Sequence, residues 1–261
     1  MSDIAPVKQL QSLEGRVVIV TGGGQGIGRN YAKVIALAGG IPVVAELDDT
    51  NGQSVVKEIE AHQSRALAVQ TDVSDPTSVE RMVRTTYDHY GRIDGIVNNA
   101  AIFSTLKMRP FDKIPYEEWH KVIEVNVTGV MNCCKAVLPY MKAAGWGRII
   151  NISSSAVTMG RPNYVHYTTS KAGVIGLTRS IAREVGAFGI TVNAILPGAT
   201  YTEVERETVS PEQKKAIVAM QCIPRPQEPG DLLGPVLFLL SEGSAFITGQ
   251  SVAVDGGCTH L

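Results

Sequence analysis

Cysteine is scarce in this chain of 261 residues, with four in all: Cys133, Cys134, Cys222 and Cys258. None has the spacing of a metal ligand. The adjacency of Cys133 and Cys134 suits buried thiols better than a disulfide framework, which points to a reducing compartment. An excess of either charge is missing as well: 24 Lys and Arg against 25 Asp and Glu leave a net charge of -1. Without a basic surplus, neither nucleic acid nor an anionic membrane is expected as a partner. His62, His89, His120, His166 and His260 are scattered without ligand spacing, so no metal is expected. Long hydrophobic runs are absent too. LLGPVLFLL falls well short of the roughly 20 residues a membrane span needs, and MSDIAPVKQL has no apolar leader core. These absences predict a soluble cytoplasmic protein, with residues 1–14 as a flexible lead-in and a single domain over residues 15–261.

What the chain does have is a rhythm. Apolar, β-branched runs recur as RVVIVT, IPVVAEL, RALAVQ, DGIVNN, RIINIS, TVNAIL and SVAVD. Most are apolar throughout rather than alternating, as expected of strands covered on both faces. Between them lie stretches of helical length, among them Tyr116 to Ala144 and Tyr164 to Phe188. Strict alternation of strand and helix predicts one doubly wound α/β domain, its parallel seven-stranded sheet flanked by helices on both faces. Residues 199–228 break the rhythm, being helical and polar in patches with proline on either side. An insertion beyond the end of a strand reads as a helical lid over a ligand, with an ordinary surface excursion as the alternative.

The first strand runs into TGGGQGIG, with Gly22, Gly26 and Gly28 as the spaced glycines and Gln25 and Ile27 between them. A strand, a glycine turn and a helix start bring backbone N–H groups and a helix dipole against a pyrophosphate, and glycine lets the phosphates approach closely. Eighteen residues after Gly28, Glu46 closes the second strand. A carboxylate there accepts hydrogen bonds from ribose hydroxyls and repels a 2'-phosphate. Gln25 offers no cation to such a phosphate, and Arg29 is expected to face solvent or a neighbouring carboxylate. NAD is therefore the expected cofactor, rather than NADP.

Tyr167 and Lys171 stand four residues apart in YTTSK, a spacing that stacks a phenol and an ammonium on one helix face. A cation a few ångströms away favours the phenolate and readies the tyrosine to give or take a proton. Ser154 lies thirteen residues before Tyr167, at the end of the run RIINIS, where its hydroxyl can hold a carbonyl oxygen.

Together these residues resemble the short-chain dehydrogenase/reductase family, in its compact single-domain branch, over nearly the whole chain. The resemblance extends to Asp72 and Val73 after the third strand, to NNAA at Asn98 to Ala101, to Asn126 in VNVTG, and to Pro197 and Gly198 followed by Thr202. It implies a Rossmann-like fold with Tyr167 as catalytic acid/base. Lys171 would lower the Tyr167 pKa and hold the nicotinamide ribose, Ser154 would steady the substrate oxygen, and Asn126 would keep a helix locally open for a proton relay. Cofactor contacts are expected from Gly22, Gln25, Gly26, Ile27, Gly28, Glu46, Asp72, Val73, Asn99, Ala100, Tyr167, Lys171, Pro197, Gly198, Thr200 and Thr202. Ala101 departs from the family's usual glycine and adds a methyl beside the cofactor.

Ser154, Ser155, Tyr164 and Tyr167 are expected to bind the substrate, with Ala156, Ile102, Phe103, Val204 and Met220 around them. The set is mostly apolar, and no Arg or Lys is clearly aimed at it, Arg161 and Arg206 being the possible exceptions. A secondary alcohol or ketone with a hydrophobic, aromatic or cyclic substituent is the expected substrate. The alternatives are a 3-oxoacyl thioester or a sugar or polyol, and, outside catalysis, an NAD-sensing binding protein. By resemblance the long helices would pair across two-fold axes into a homotetramer.

Overall fold

The computed structural model describes residues 11–204 and 211–260. Among the described residues seven strands form one sheet: β1 (Val17–Thr21), β2 (Ile41–Glu46), β3 (Leu67–Gln70), β4 (Gly95–Asn98), β5 (Gly147–Ile152), β6 (Ile190–Pro197) and β7 (Ser251–Val254). Their spatial order is β3-β2-β1-β4-β5-β6-β7, and every neighbouring pair is parallel. The fold class is the expected Rossmann-like α/β sheet. Because β1 lies between β2 and β4, the chain reverses its direction of travel across the sheet there, and a crevice opens beyond the strand ends.

Alternation along each strand supplies both faces. Val17 and Ile19 of β1 enter one core with Ile96, Ile149 and Val192, while Val18 and Val20 enter the other with Val97, Ile150 and Ile195. Each such side chain contributes roughly 1.5–3 kcal/mol by leaving water. The first core is closed by α3 (Pro76–Tyr90), α5 (Gly129–Ala144) and α7 (Val165–Val185), through Met82, Val137 and Val174. The second is closed by α1 (Gly26–Leu37), α2 (Asp49–Glu60) and α9 (Leu233–Leu240), through Ile35, Val55 and Leu239. Local chemistry sets the helix ends. Asp48 and Asp75 accept the backbone N–H of Thr50 and Thr77 at the starts of α2 and α3, and α3 stops at Gly91 in the left-handed region, φ 69°.

Two elements differ from expectation. Tyr116 to Ala144 is not one helix: α4 (Tyr116–Ile123) passes into a π-helical turn over Glu124–Thr128 before α5 begins. The lead-in is packed earlier than Gly15, because Leu13 is buried in the second core and its N–H donates to the Ala38 carbonyl. Cys133 and Cys134 are buried as expected, but Cys222 is exposed and Cys258 half-buried. The short α6 (Ala156–Met159) precedes α7, and α8 (Pro211–Ala219) lies within residues 199–228.

Candidate active site

The turn after β1 has the geometry a dinucleotide needs. Gly22 and Gly26 hold φ of 61° and 57°, a region open to glycine and strained for other residues. A Cβ on Gly22 would lie 2.9 Å from the Ala100 Cα, and one on Gly28 would collide with the Gly22 carbonyl. Asn99 fixes the turn from β4, its Nδ2 donating to the Thr21 and Gly22 carbonyls at 3.0 Å each. The Thr21 hydroxyl accepts the N–H groups of Asn99 and Ala100. A close glycine passage over a helix start fits a pyrophosphate, with Gly22, Gln25, Gly26 and Ile27 along it.

Glu46, at the end of β2, turns its carboxylate toward this turn. One oxygen accepts the Gly24 N–H at 2.9 Å and the other the Leu47 N–H at 2.8 Å. Gly24 makes this possible, since a Cβ there would fall 2.6 Å from the Glu46 Cγ. Arg29 faces away from the crevice's ribose end and pairs with Glu58 at 2.8 Å and Glu203 at 3.4 Å.

At the far end α7 presents the Tyr167 and Lys171 side chains, only 8% and 3% exposed, with the Lys171 Nζ 5.8 Å from the Tyr167 ring centre. That ammonium donates to the Ile152 carbonyl at 2.8 Å, and burial pulls its pKa down from 10.5 to about 8. Ser154 follows β5, its hydroxyl accepting the Ala156 N–H at 3.2 Å. Phe103 lies 4.5 Å from the Tyr167 ring, centre to centre.

Asn126 is fully buried in the π-helical turn. Its side chain exchanges hydrogen bonds with the Ile102 backbone at 2.8 and 3.2 Å and donates to Ser170 Oγ at 3.1 Å. Ser170 in turn donates to the Tyr167 carbonyl at 2.7 Å. Asn126 thus ties the segment that follows NNAA to the helix that carries the tyrosine.

One cavity of about 1300 Å³ joins the two ends. Its walls include Glu46, Asp72, Val73, Asn99, Ala100 and Ala101 at one end and Ser154, Ser155, Tyr167, Lys171, Pro197, Gly198 and Thr202 toward the other. Ile102, Phe103, Ala156, Val204 and Met220 also line it, as expected. Four expected contacts are not among its lining residues. Gly28 and Asn126 sit behind the wall as described. Thr200 is buried and bridged to Gln227. Tyr164 is 1% exposed and packs with Leu106 and Val122, 6.0 Å from the Phe103 ring, so it backs the pocket rather than facing it.

In its place Arg161 faces the cavity, its guanidinium 4.4 Å from the Tyr164 ring centre and 5.9 Å from that of Phe103. Arg206 lies outside the described residues. Gly24 and Glu203 were not singled out by motif. The intrusion of Glu46 on Gly24 depends on side-chain direction, and nothing in the local pattern marked Glu203. Among the described residues no group of three or more His, Cys, Asp or Glu is placed to hold a metal ion.

A glycine-turn nucleotide site joined by one cavity to a buried Tyr-Lys pair and a serine defines a nucleotide-dependent oxidoreductase. The chain belongs to the short-chain dehydrogenase/reductase family: a family model described as enoyl-(acyl carrier protein) reductase matches residues 22–259. A 3-oxoacyl-[acyl-carrier-protein] reductase of Synechocystis is 40% identical over 95% of this chain and 98% of its own length. The short chain dehydrogenase/reductase astE of Aspergillus oryzae is 37% identical over 97% of this chain and 98% of its own. Among solved structures, a short-chain type dehydrogenase/reductase from Mycobacterium marinum superposes with a TM-score of 0.89 at 32% identity, covering 98% of this chain and 100% of that one. Family membership carries a nicotinamide cofactor and oxidoreductase chemistry.

Proposed function

We propose that the protein uses NAD to interconvert a secondary alcohol and a ketone. The observation that carries this reading is the single cavity with the Glu46 carboxylate at one end and the buried Tyr167 and Lys171 at the other. When bound, the nicotinamide supplies or accepts the hydride. The chain's own residues handle the proton. In oxidation the Tyr167 oxygen takes the substrate's hydroxyl proton, and in reduction it returns one, while the Ser154 hydroxyl hydrogen-bonds the same oxygen. The Lys171 ammonium favours the phenolate electrostatically. Glu46, already fixed by two backbone N–H groups, accepts from ribose hydroxyls and repels a 2'-phosphate, which supports NAD over NADP.

The apolar side chains Ile102, Phe103, Leu106, Ala156 and Met220 in the cavity wall favour a substrate with a hydrophobic, aromatic or cyclic substituent. A second reading has its own observation. Arg161 lies in the wall without a carboxylate partner among the described residues, which favours a substrate carrying an anion some distance from the reacting carbon. A 3-oxoacyl thioester, the kind of substrate named for the Synechocystis relative, is of that kind. A sugar or polyol is less well served by these walls.

A screen of neutral secondary alcohols, hydroxy acids and 3-oxoacyl thioesters with both cofactors, read by nicotinamide absorbance, tests the proposal. Turnover of neutral cyclic or aryl alcohols with NAD+ supports the first reading. Turnover of anionic substrates alone, lost in Arg161→Ala, supports the second. A purely NAD-sensing protein would bind the cofactor and turn over nothing. A reducing cytoplasmic setting and a homotetramer are part of the proposal, supported by four free cysteines and by exposed apolar side chains such as Met131 and Val165 on the long helices.

A further inference from the structure

The first backbone donor of helix α1 is already taken by an anion of the chain itself. Gly26 opens α1, and its N–H donates to Glu203 Oε1 at 3.0 Å. The Arg29 guanidinium reaches the same oxygen at 3.4 Å. Val204 lies over the same glycine, where an added Cβ would come within 3.3 Å of its Cγ2. Helix α1 supplies no such group on its own account. Its N-cap Gln25 makes no side-chain cap, and its first turn contains no acidic residue. The N-terminal N–H groups of a helix need acceptors, and its dipole favours negative charge there. A carboxylate arriving 177 residues later in the chain meets that need. Partial burial pushes the Glu203 carboxyl up, but hydrogen bonds from backbone amides and from Arg29 outweigh this and hold it below the usual range. It is therefore an anion at neutral pH.

In the cofactor reading above, on which this inference rests, the pyrophosphate takes the same N–H. Two anions cannot share it. We infer that Glu203 is a built-in competitor for the phosphate position, a carboxylate that caps α1 in the free protein, leaves when the dinucleotide enters, and thereby sets its affinity. Arg29 stays anchored when this happens, because its Nε and Nη2 both hold Glu58 Oε2, at 3.1 and 2.8 Å. The displaced group is thus the carboxylate alone. Thr202, whose hydroxyl accepts the Val204 N–H at 3.2 Å, holds the stretch that carries it.

The test is calorimetric titration of NAD+ and NADP+ into the full-length protein and into Glu203→Gln and Glu203→Ala, with adenosine binding followed by saturation-transfer NMR as a phosphate-free control. Both variants are expected to bind dinucleotide roughly three- to tenfold more tightly than the parent, the size expected for one charge at a helix N-terminus. Adenosine affinity should not change. Unchanged or weaker dinucleotide binding, in variants whose thermal melts match the parent, would overturn the inference. So would an equal gain for adenosine, which would assign the effect to the whole crevice rather than to its phosphate end. If none of the three proteins bound either dinucleotide, the cofactor reading itself would fall, an outcome distinct from a failure confined to Glu203.

Discussion

Lys171 occupies an unfavourable place for a cation: almost fully buried, with the Ile152 carbonyl as its hydrogen-bond acceptor and a pKa near 8. In the unfolded chain the same amine titrates near 10.5. Between those two pH values the unfolded state binds the extra proton, so this residue makes stability rise as pH increases. Below about 8 its cost is complete, and above about 10.5 it is gone. Lys171→Met removes the charge and keeps the apolar stem. The lost hydrogen bond to Ile152 is independent of pH, so the pH-dependent part of the difference isolates the ammonium. Urea denaturation of the cofactor-free proteins should find Lys171→Met gaining on the parent at pH 7, with the gain shrinking as pH is raised from 8 to 10.5. The same substitution should abolish turnover. Tyr167→Phe keeps the ring against Phe103 and deletes only the oxygen, so kcat should fall by about 10³ or more while cofactor affinity stays within about twofold. An unchanged rate in that variant would remove Tyr167 from the mechanism.

The end of β2 acts as one element with the glycine turn, since Glu46 is held by Gly24 and Leu47. Glu46→Gln keeps the shape and removes the charge, and the ratio of kcat/KM for NAD+ over NADP+ should fall by about tenfold or more. Gly24→Ala should produce a related defect by another route, because its methyl would displace the Glu46 side chain. Weaker NAD+ binding with a lowered melting temperature is the expected outcome, measured by titration and calorimetry.

The strands were legible because an apolar run between turn residues is a local signal, and the glycine turn because its spacing encodes backbone geometry directly. The π-helical turn was not. Glu124 to Thr128 lies within a stretch whose apolar spacing stays helical on either side, so the periodicity gives no warning of the widened turn around Asn126. Tyr164 misled for a similar reason. One turn before Tyr167 it shares a face in an ideal helix, but it is the N-cap, at φ -137°, and its ring turns back into the wall.

At the scale of the molecule the parallel sheet puts all strand carboxyl ends on one side. This is why residues from Gly22 to Gly198 meet in one cavity, and why the segments that follow the strands supply most of its walls. Arg161 is only a possible exception in the sequence because loop shape decides it: Gly160 and Asn163 both adopt positive φ, 61° and 63°, and no pattern of hydrophobicity encodes where such a loop points. Assembly belongs to this scale as well. Light scattering at micromolar concentration should return the mass of four chains, and charged substitutions at Met131 and Val165, both exposed on the long helices, should lower it. A monomer in the unmodified protein would refute the tetramer.

The Arg161 loop has a consequence for how such a protein can change over time. Its start is pinned by the Ser155 hydroxyl, which donates to the Pro197 carbonyl at 3.0 Å, and its end by the Asn163 carbonyl, which accepts the Arg109 N–H at 3.1 Å. Ser154, proposed to hold the substrate oxygen, lies just before the first pin, and Tyr167, the proposed acid/base, just after the second. The residues between are therefore an exchangeable cassette. Selection can rewrite what the pocket recognises there, one side chain at a time, while Ser154 and Tyr167 on either side keep their positions.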